Sequence, residues 1–161
     1  MIEATVCFVL DEEGSPRVLL AEKKRGFGKG KLNGPGGKLH DGETPEDGVV
    51  REVHEEVGIT ICRSGLQYAG CLTFRFPSRP TYDHRVHVFR AVRWRGTAAE
   101  SEEMKPEWFS VHDLPFERMW QDDAYWLPLV LNGKQVNGTF VFGQDNESVV
   151  SWSLSGERSV D

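Results

Sequence analysis

The chain has 161 residues, 39% of them hydrophobic, with a formal charge of −6 and an isoelectric point near 5.4. That length and apolar content suit a single domain, residues 1–161, with one substantial core. The acidic balance argues against gripping a polynucleotide, whose backbone calls for a broad basic surface, and no apolar run nears the roughly 20 residues of a membrane span.

Ala4 to Leu10, "ATVCFVL", is β-branched and apolar, as a buried strand should be, and "EEGSP" after it has turn chemistry. Arg17 to Lys23 resumes as a second strand. The stretch "KRGFGKGKLNGPGGK" then holds six glycines, too many for a regular element, so it predicts a loop that bends sharply or approaches something closely. No Gly-Lys pair in it is followed by Ser or Thr, which excludes a phosphate-cradling P-loop. A helix follows from Thr44 to Gly58. Strand content returns in "LQYAGCLTFRF", "RVHVFRAVRW" and "TFVFG", and "DDAYWLPLVLNG" reads as a helix closing on Gly133, with Pro128 as an irregularity. The tail from Ser153 to Asp161 is polar and expected to fray. Strands and helices mingle without strict βαβ alternation, which points to an α/β (α+β) fold with a mixed sheet and helices on both faces. Cys7, Cys62 and Cys71 match neither a zinc ribbon nor a disulfide framework, and no basic-then-apolar leader opens the chain. A cytoplasmic protein is the expectation.

The helix from Thr44 starts with a capping hydroxyl, a proline at its first position and the acids Glu46 and Asp47 at the positive end of its dipole. At about 100° per residue Val49, Val50, Val53 and Val57 form a core-facing stripe. Glu52, Glu55 and Glu56 lie on one flank beside Gly48, a residue expected to leave open space above the carboxylates. A solvated helix face would interleave lysine at i+4, yet every i±3 and i±4 neighbour of Glu52 and Glu56 is apolar, small or another glutamate. Such a cluster asks for a cation. Carboxylate oxygens without histidine or thiolate select hard divalent ions, Mg2+ above all and Mn2+ next.

The same residues carry a resemblance. Gly37, Glu43 and the run Arg51-Glu52-Val53-His54-Glu55-Glu56-Val57-Gly58-Ile59 stand at the spacing of the Nudix box, and the chain resembles the MutT-type hydrolases of that family. The resemblance implies a Nudix-type α/β/α sandwich around a mixed central sheet and metal-assisted hydrolysis of a nucleoside diphosphate linked to another moiety. It implies Glu52, Glu55 and Glu56 as metal ligands, with the Gly36 carbonyl as a further one. Arg51 would orient a carboxylate, either Glu43 or Glu55; a surface ion pair of little worth is the plainer reading. Glu103, in "SEEM", is either a metal-ligating or water-activating acid or an exposed loop acid between Glu100 and Glu102.

Beyond the box, "KKRGFGKGKLNG", "SEEMKPEWF", "MWQDDAYWLP" and "NGTFVFGQD" are similar to the branch of that family that acts on oxidised purine nucleoside triphosphates of the 8-oxo-dGTP type. That similarity implies Asn33, Asp122 and Asp123 on the purine edge, Phe27 and Trp120 on its faces, Thr5 and Lys23 beside it, and Phe74, Phe76 and Phe142 as apolar walls. Singly, Asn33 reads as a turn residue, Asp122 as an N-cap and the aromatics as core. Three departures stand out: the segment "PSRPTYDHR", Pro77 to Arg85, is one residue longer than its counterpart, His84 falls where the resemblance has an apolar pocket wall, and Pro35 replaces an aromatic. The expected protein is a Mg2+-dependent, monomeric pyrophosphohydrolase of a small nucleoside triphosphate. The alternatives are hydrolysis of ADP-ribose or a dinucleoside polyphosphate, and a Nudix-fold sensor without turnover.

Overall fold

The computed structural model describes residues 1–155 and the backbone of Glu157 and Arg158. In chain order the elements are β1 (Ile2–Asp11), β2 (Arg17–Lys23), β3 (Leu32–Asn33), α1 (Pro45–Val57), β4 (Thr60–Ile61), β5 (Leu66–Arg75) and β6 (His84–Ala91). Then come β7 (Trp94–Arg95), β8 (Met104–Ser110), α2 (Asp123–Leu131), β9 (Val136–Phe142), β10 (Val149–Leu154) and β11 (Glu157–Arg158). The large sheet runs β11-β10-β9-β5-β6-β1-β2-β3, with β8 also paired to β2. It is mixed: β1 lies parallel to β6 and β5 parallel to β9, and the other pairs are antiparallel. A two-stranded sheet, β4-β7, stands apart.

Alternation along β1 divides the core into two layers. Cys7 and Val9 face Val49, Val53 and Val57 of α1, whereas Val6, Phe8 and Leu10 face Trp126, Leu127 and Val130 of α2. One helix covers each face, which is the expected α/β/α sandwich. Pro128 sits within α2 without ending it, and Asn132 and Gly133 close that helix on the carbonyls of Pro128, Leu129 and Val130.

The strand pairing makes one opening. β1 and β2 pair only over Val9–Asp11 and Arg17–Leu19, after which β2, paired with β8 along its whole length, leaves β1 for β3. The edge of β1 thus freed is taken by the glycine-rich loop: Thr5 N–H donates to the Gly37 carbonyl at 2.9 Å and Cys7 N–H to that of Pro35 at 2.8 Å. The approach is so close that a Cβ at Gly34 would lie 2.6 Å from the Cys7 carbonyl oxygen, and one at Gly36 would collide with that of Thr5. Glycine is required here by contact.

Three expectations change. The short strands β3, β4 and β11 and the longer β8 and β10 lie where no strand was read, and the stretch read as one strand to Trp94 ends at Ala91, with Trp94 opening the separate β7. Ser153 and Leu154, placed in the fraying tail, end β10, and Leu154 is buried; Gly156 and residues 159–161 of that tail lie outside the described residues. Gly48 does not face open space: a Cβ there would strike Leu39 and come within 3.2 Å of a Glu43 oxygen, so the helix needs glycine to let the 38–43 turn pack against it.

Candidate active site

A cleft of about 590 Å³ opens where β1 and β2 part. Every residue singled out from the sequence for metal or substrate lines it, from Thr5, Lys23 and Gly36 through Glu52, Glu55, Glu56 and Glu103 to Asp122, Asp123 and Phe142; Arg51 stands just behind. The structure therefore brings together residues that are more than 130 positions apart in the chain.

The acidic end rests on α1. Thr44 accepts from the Asp47 N–H at 3.1 Å, and Gly58 closes the helix in the left-handed region at φ 74°. Between these caps Arg51 gathers carboxylates: its guanidinium donates to both oxygens of Glu43 at 2.8 and 2.9 Å, to Glu52 at 2.8 Å and to Glu55 at 3.1 Å. Both candidate partners of Arg51 are engaged, and Glu52, which no spacing argument named, is a third. The fork on Glu43 is bidentate and holds that carboxyl at about 2, well below the usual range. A surface pair of little worth does not describe a side chain only 21% exposed with this many partners.

Glu56 is the deepest of the three glutamates. The Gly36 N–H donates to it at 2.9 Å, while burial first, and then the charges of Glu52 and Glu103, push its carboxyl up to about 7. Glu103 reaches the cleft from the loop before β8, and its oxygen accepts from Arg25 Nε at 3.0 Å. That bond lowers the Glu103 pKa, against a smaller opposing effect of burial. Glu103 is thus a half-exposed, ion-paired acid that lines the cleft and whose charge is felt at Glu56.

A hard divalent cation fits this end. The donors are carboxylates and a backbone carbonyl, with no thiolate or imidazole among them. A Cβ at Gly37 would lie 2.7 Å from the Glu52 carboxyl, so the loop and α1 keep a space that any larger residue would fill. Among the described residues no three such acids converge on one point, because Arg51 draws Glu52 and Glu55 one way and the Gly36 N–H holds Glu56 another.

The other end of the cleft is aromatic with a polar edge. Phe76 and Phe142 stack with centroids 4.7 Å apart, and Phe27 packs between Trp120 at 5.1 Å and Phe76 at 5.5 Å. Lys31 lies over Trp120 at 5.0 Å. Asn33 is partly a turn residue, its side-chain oxygen accepting from the Gly34 N–H at 2.8 Å. Asp122 holds the N-cap position of α2, as read from the sequence, but its side chain makes no capping bond. It accepts instead from the Trp126 indole at 2.7 Å, and both aspartates are 3% exposed. Burial raises Asp122 to about 6 and Asp123 further from the ordinary range, where the neighbouring charge adds to it. The Oδ2 atom of Asp123 is buried without a partner. Such an atom costs about 1–3 kcal/mol unless something enters the cleft to meet it.

Two contributors were missed in the sequence. Trp126 stands four residues after Asp122, and that i+4 spacing is a helical signal for the contact. Tyr82, whose ring packs at a 36° tilt against Phe27 with centroids 4.0 Å apart, sits in a 3-10 turn at 80–82 that no periodicity announces.

An α/β/α sandwich that sets a row of glutamates against a glycine-rich loop, across a cleft from a base-sized aromatic pocket, defines a hydrolase of nucleotide phosphoanhydrides. The chain belongs to the Nudix family: the NUDIX domain model matches residues 2–130. It is 47% identical over 145 residues to the oxidized purine nucleoside triphosphate hydrolase of Mus musculus, covering 90% of this chain and 88% of that one. The protein of the same name from Danio rerio is 46% identical over 138 residues, 86% of each chain. The crystal structure of the mutator protein MutT from Bacillus halodurans matches at a TM-score of 0.83 and 27% identity, covering 98% of this chain and 99% of that one. The resemblance read from the box and its flanks is borne out in family and in fold. Nudix hydrolases act with divalent metal ions on small nucleotides, and no helix among the described residues is long and apolar enough to cross a membrane.

Proposed function

We propose that the protein hydrolyses oxidised purine nucleoside triphosphates of the 8-oxo-dGTP type to the nucleoside monophosphate and pyrophosphate, with Mg2+ as its metal and Mn2+ as a substitute. The observation that carries this reading is the orphaned Asp123 oxygen in the cleft that also holds Glu52, Glu55 and Glu56. A buried acid pair beside aromatic faces suits a purine edge: the protonated carboxyl donates to a carbonyl, and its neighbour accepts from an N–H. Relatives named for oxidised purine nucleoside triphosphates support the choice of base.

In this reading Phe27 and Trp120 hold the base by its faces, and Asn33, Asp122 and Asp123 read its edge. Phe74, Phe76 and Phe142 exclude water from it, and Thr5 and Lys23 line the passage to the phosphates. Glu52, Glu55, Glu56, the Gly36 carbonyl and Glu103 would hold the cation, and Arg51 fixes the first two from behind. The cation, when bound, neutralises phosphate charge and polarises water. Glu103, kept ionised by Arg25, is placed to take a proton from the attacking water. The same reading has the protein working as a monomer in the cytoplasm, where the nucleotide pool lies.

A panel of nucleotides assayed with Mg2+ for released pyrophosphate tests it. An oxidised purine triphosphate should lead the panel, with the monophosphate as co-product. Preference for ADP-ribose or a dinucleoside polyphosphate, or orthophosphate as the direct product, would overturn the assignment.

A further inference from the structure

His84 is the one imidazole on the wall of the cleft, set among apolar residues. It opens β6, and its ring lies nearly coplanar in orientation with Phe76, at 10° and 6.1 Å between centroids, and with Phe74, at 26° and 5.2 Å. Those two faces leave little rotational freedom to the ring. Its Nδ1 is 2.7 Å from the carbonyl oxygen of Tyr82. A carbonyl only accepts, so Nδ1 carries the hydrogen. In a neutral ring Nε2 is then a lone-pair acceptor. Burial keeps the ring neutral at physiological pH, against the smaller opposing effects of the Tyr82 bond and Asp83, with Lys23 and Lys38 adding to the depression. No protein group among the described residues meets Nε2, and that atom is not sealed off, since the sole buried polar side-chain atom without a partner is on Asp123.

A wall filler would need no such arrangement. An acceptor whose tautomer is locked from behind is matched to an N–H, and it repels another lone pair. Oxidation of a purine at C8 makes this difference: N7 of an ordinary purine is an acceptor, and N7 of the 8-oxo form carries hydrogen. Amino groups are common to both forms and cannot tell them apart. Asp122 and Asp123 stand at the start of α2 and His84 at the start of β6, and all three line the one cleft.

We infer that His84 is a specificity-determining residue whose Nε2 accepts a hydrogen bond from N7–H of the oxidised purine, so that an unoxidised base meets a lone pair there instead. This rests on the reading of the cleft as an oxidised-purine site and names the atom of the base that the wall distinguishes.

The test measures kcat/KM for 8-oxo-dGTP and for dGTP in the unaltered protein, His84→Met and His84→Gln, and takes the ratio of the two substrates within each protein. Inactive or partly unfolded material cancels in that ratio. Methionine fills the space without an acceptor at that place, and should lower the preference for 8-oxo-dGTP by about tenfold, the effect of one mismatched polar contact. Glutamine presents an amide oxygen at the reach of Nε2 and should keep the preference within about threefold of the unaltered protein. An unchanged ratio in His84→Met, or a glutamine ratio as low as that of methionine, would overturn the inference while leaving the proposed function intact. If the unaltered protein shows no preference between the two nucleotides, the proposed function itself falls, and the role of His84 with it.

Discussion

Replacing Asp123 with asparagine should make the protein more stable and less active at once. Asp123 is buried against a second carboxyl, and burial and that neighbour both hold its proton well above the ordinary carboxylate range. Unfolded, the same group sheds its proton near 3.8. The folded state therefore binds one more proton in the window above that value. Stability conferred by the neutral form is full below the unfolded pKa and declines as pH rises toward the folded one. For one extra bound proton the slope is about 1.4 kcal/mol per pH unit. Asparagine has the same shape, donates to Asp122 through its amide and has no proton to take up, so its stability lacks that slope. At about 2–4 °C per kcal/mol for a chain of this size, the melting temperature of Asp123→Asn should gain on the unaltered protein by about 3–6 °C per pH unit from about pH 4 until the folded carboxyl itself titrates. Activity should move the other way. If the pair reads a base edge by sharing a proton, loss of that option lowers kcat/KM for 8-oxo-dGTP tenfold or more, at about 1.4 kcal/mol per factor of ten. Hydrolysis of a small pyrophosphate without a purine should scarcely change, because α1 is untouched. Thermal unfolding across pH 4.5–7.5 and the two kinetic constants check it. A variant that loses stability and both activities together would mean that the aspartates serve the fold. One that keeps full activity on both substrates would refute their part in base recognition.

Other perturbations act at the acidic end. Glu56→Gln keeps the acceptor for the Gly36 N–H and removes a charge near Glu52 and Glu103, so turnover with Mg2+ should fall by at least about a hundredfold with no loss of melting temperature; near-normal turnover would sink the metal assignment. Gly37→Ala puts a methyl 2.7 Å from the Glu52 carboxyl, and should cut kcat more than tenfold while thermal unfolding shifts by only a few degrees; unchanged kcat would show that the space has no role. Arg51→Lys cannot reproduce the fork on Glu43 and the contact to Glu52, and should lower turnover and release Glu43 from its depressed pKa. Because the Glu43 pKa is lowered on folding, its contribution is present at neutral pH and is lost as pH falls below the usual carboxylate range toward about 2. Acid unfolding of Arg51→Lys should therefore begin at higher pH than in the unaltered protein.

Much of this was legible residue by residue, and the exceptions have physical causes. α1 announced itself because cap, proline, valine stripe and closing glycine agree at every level, and β1 and β2 because their apolar runs are bounded by turns. β8, "MKPEWFS", was hidden because it lies at the sheet margin with Pro106 inside and alternate residues exposed, so pairing with β2 defines it and composition does not. β10, "VVSWSL", carries a strand-like alternation of Val150, Trp152 and Leu154 that was passed over, and of its residues only Leu154 is buried. Gly48 was misread because a wheel shows which residues share a helix face and not what packs on it; the turn that needs the glycine is brought there by Arg51 holding Glu43 and the Lys38 carbonyl. The lack of a cap bond at Asp122 is likewise tertiary: the Trp126 indole draws its carboxyl inward.

The opening between β1 and β2 explains why two unlike chemistries share one cleft. A sheet closed by full pairing would keep the helices apart, since α1 packs on the face of Cys7 and Val9 and α2 on the face of Phe8 and Leu10. Because β2 leaves β1 after Leu19, the sheet has a gap through which groups from both faces meet. A bare gap would leave the N–H groups of Thr5 and Cys7 unpaired, at a cost comparable to lost hydrogen bonds. The carbonyls of Gly37 and Pro35 meet that need, and only glycine at 34 and 36 allows the loop so close. The loop that repairs the sheet thereby becomes the wall between Glu52 and Glu56 on one side and the aromatic pocket on the other. The glutamates and the aromatic pocket with its aspartates are thus anchored in separate core layers with that loop between them, so the pocket can change without disturbing the packing that holds the glutamates.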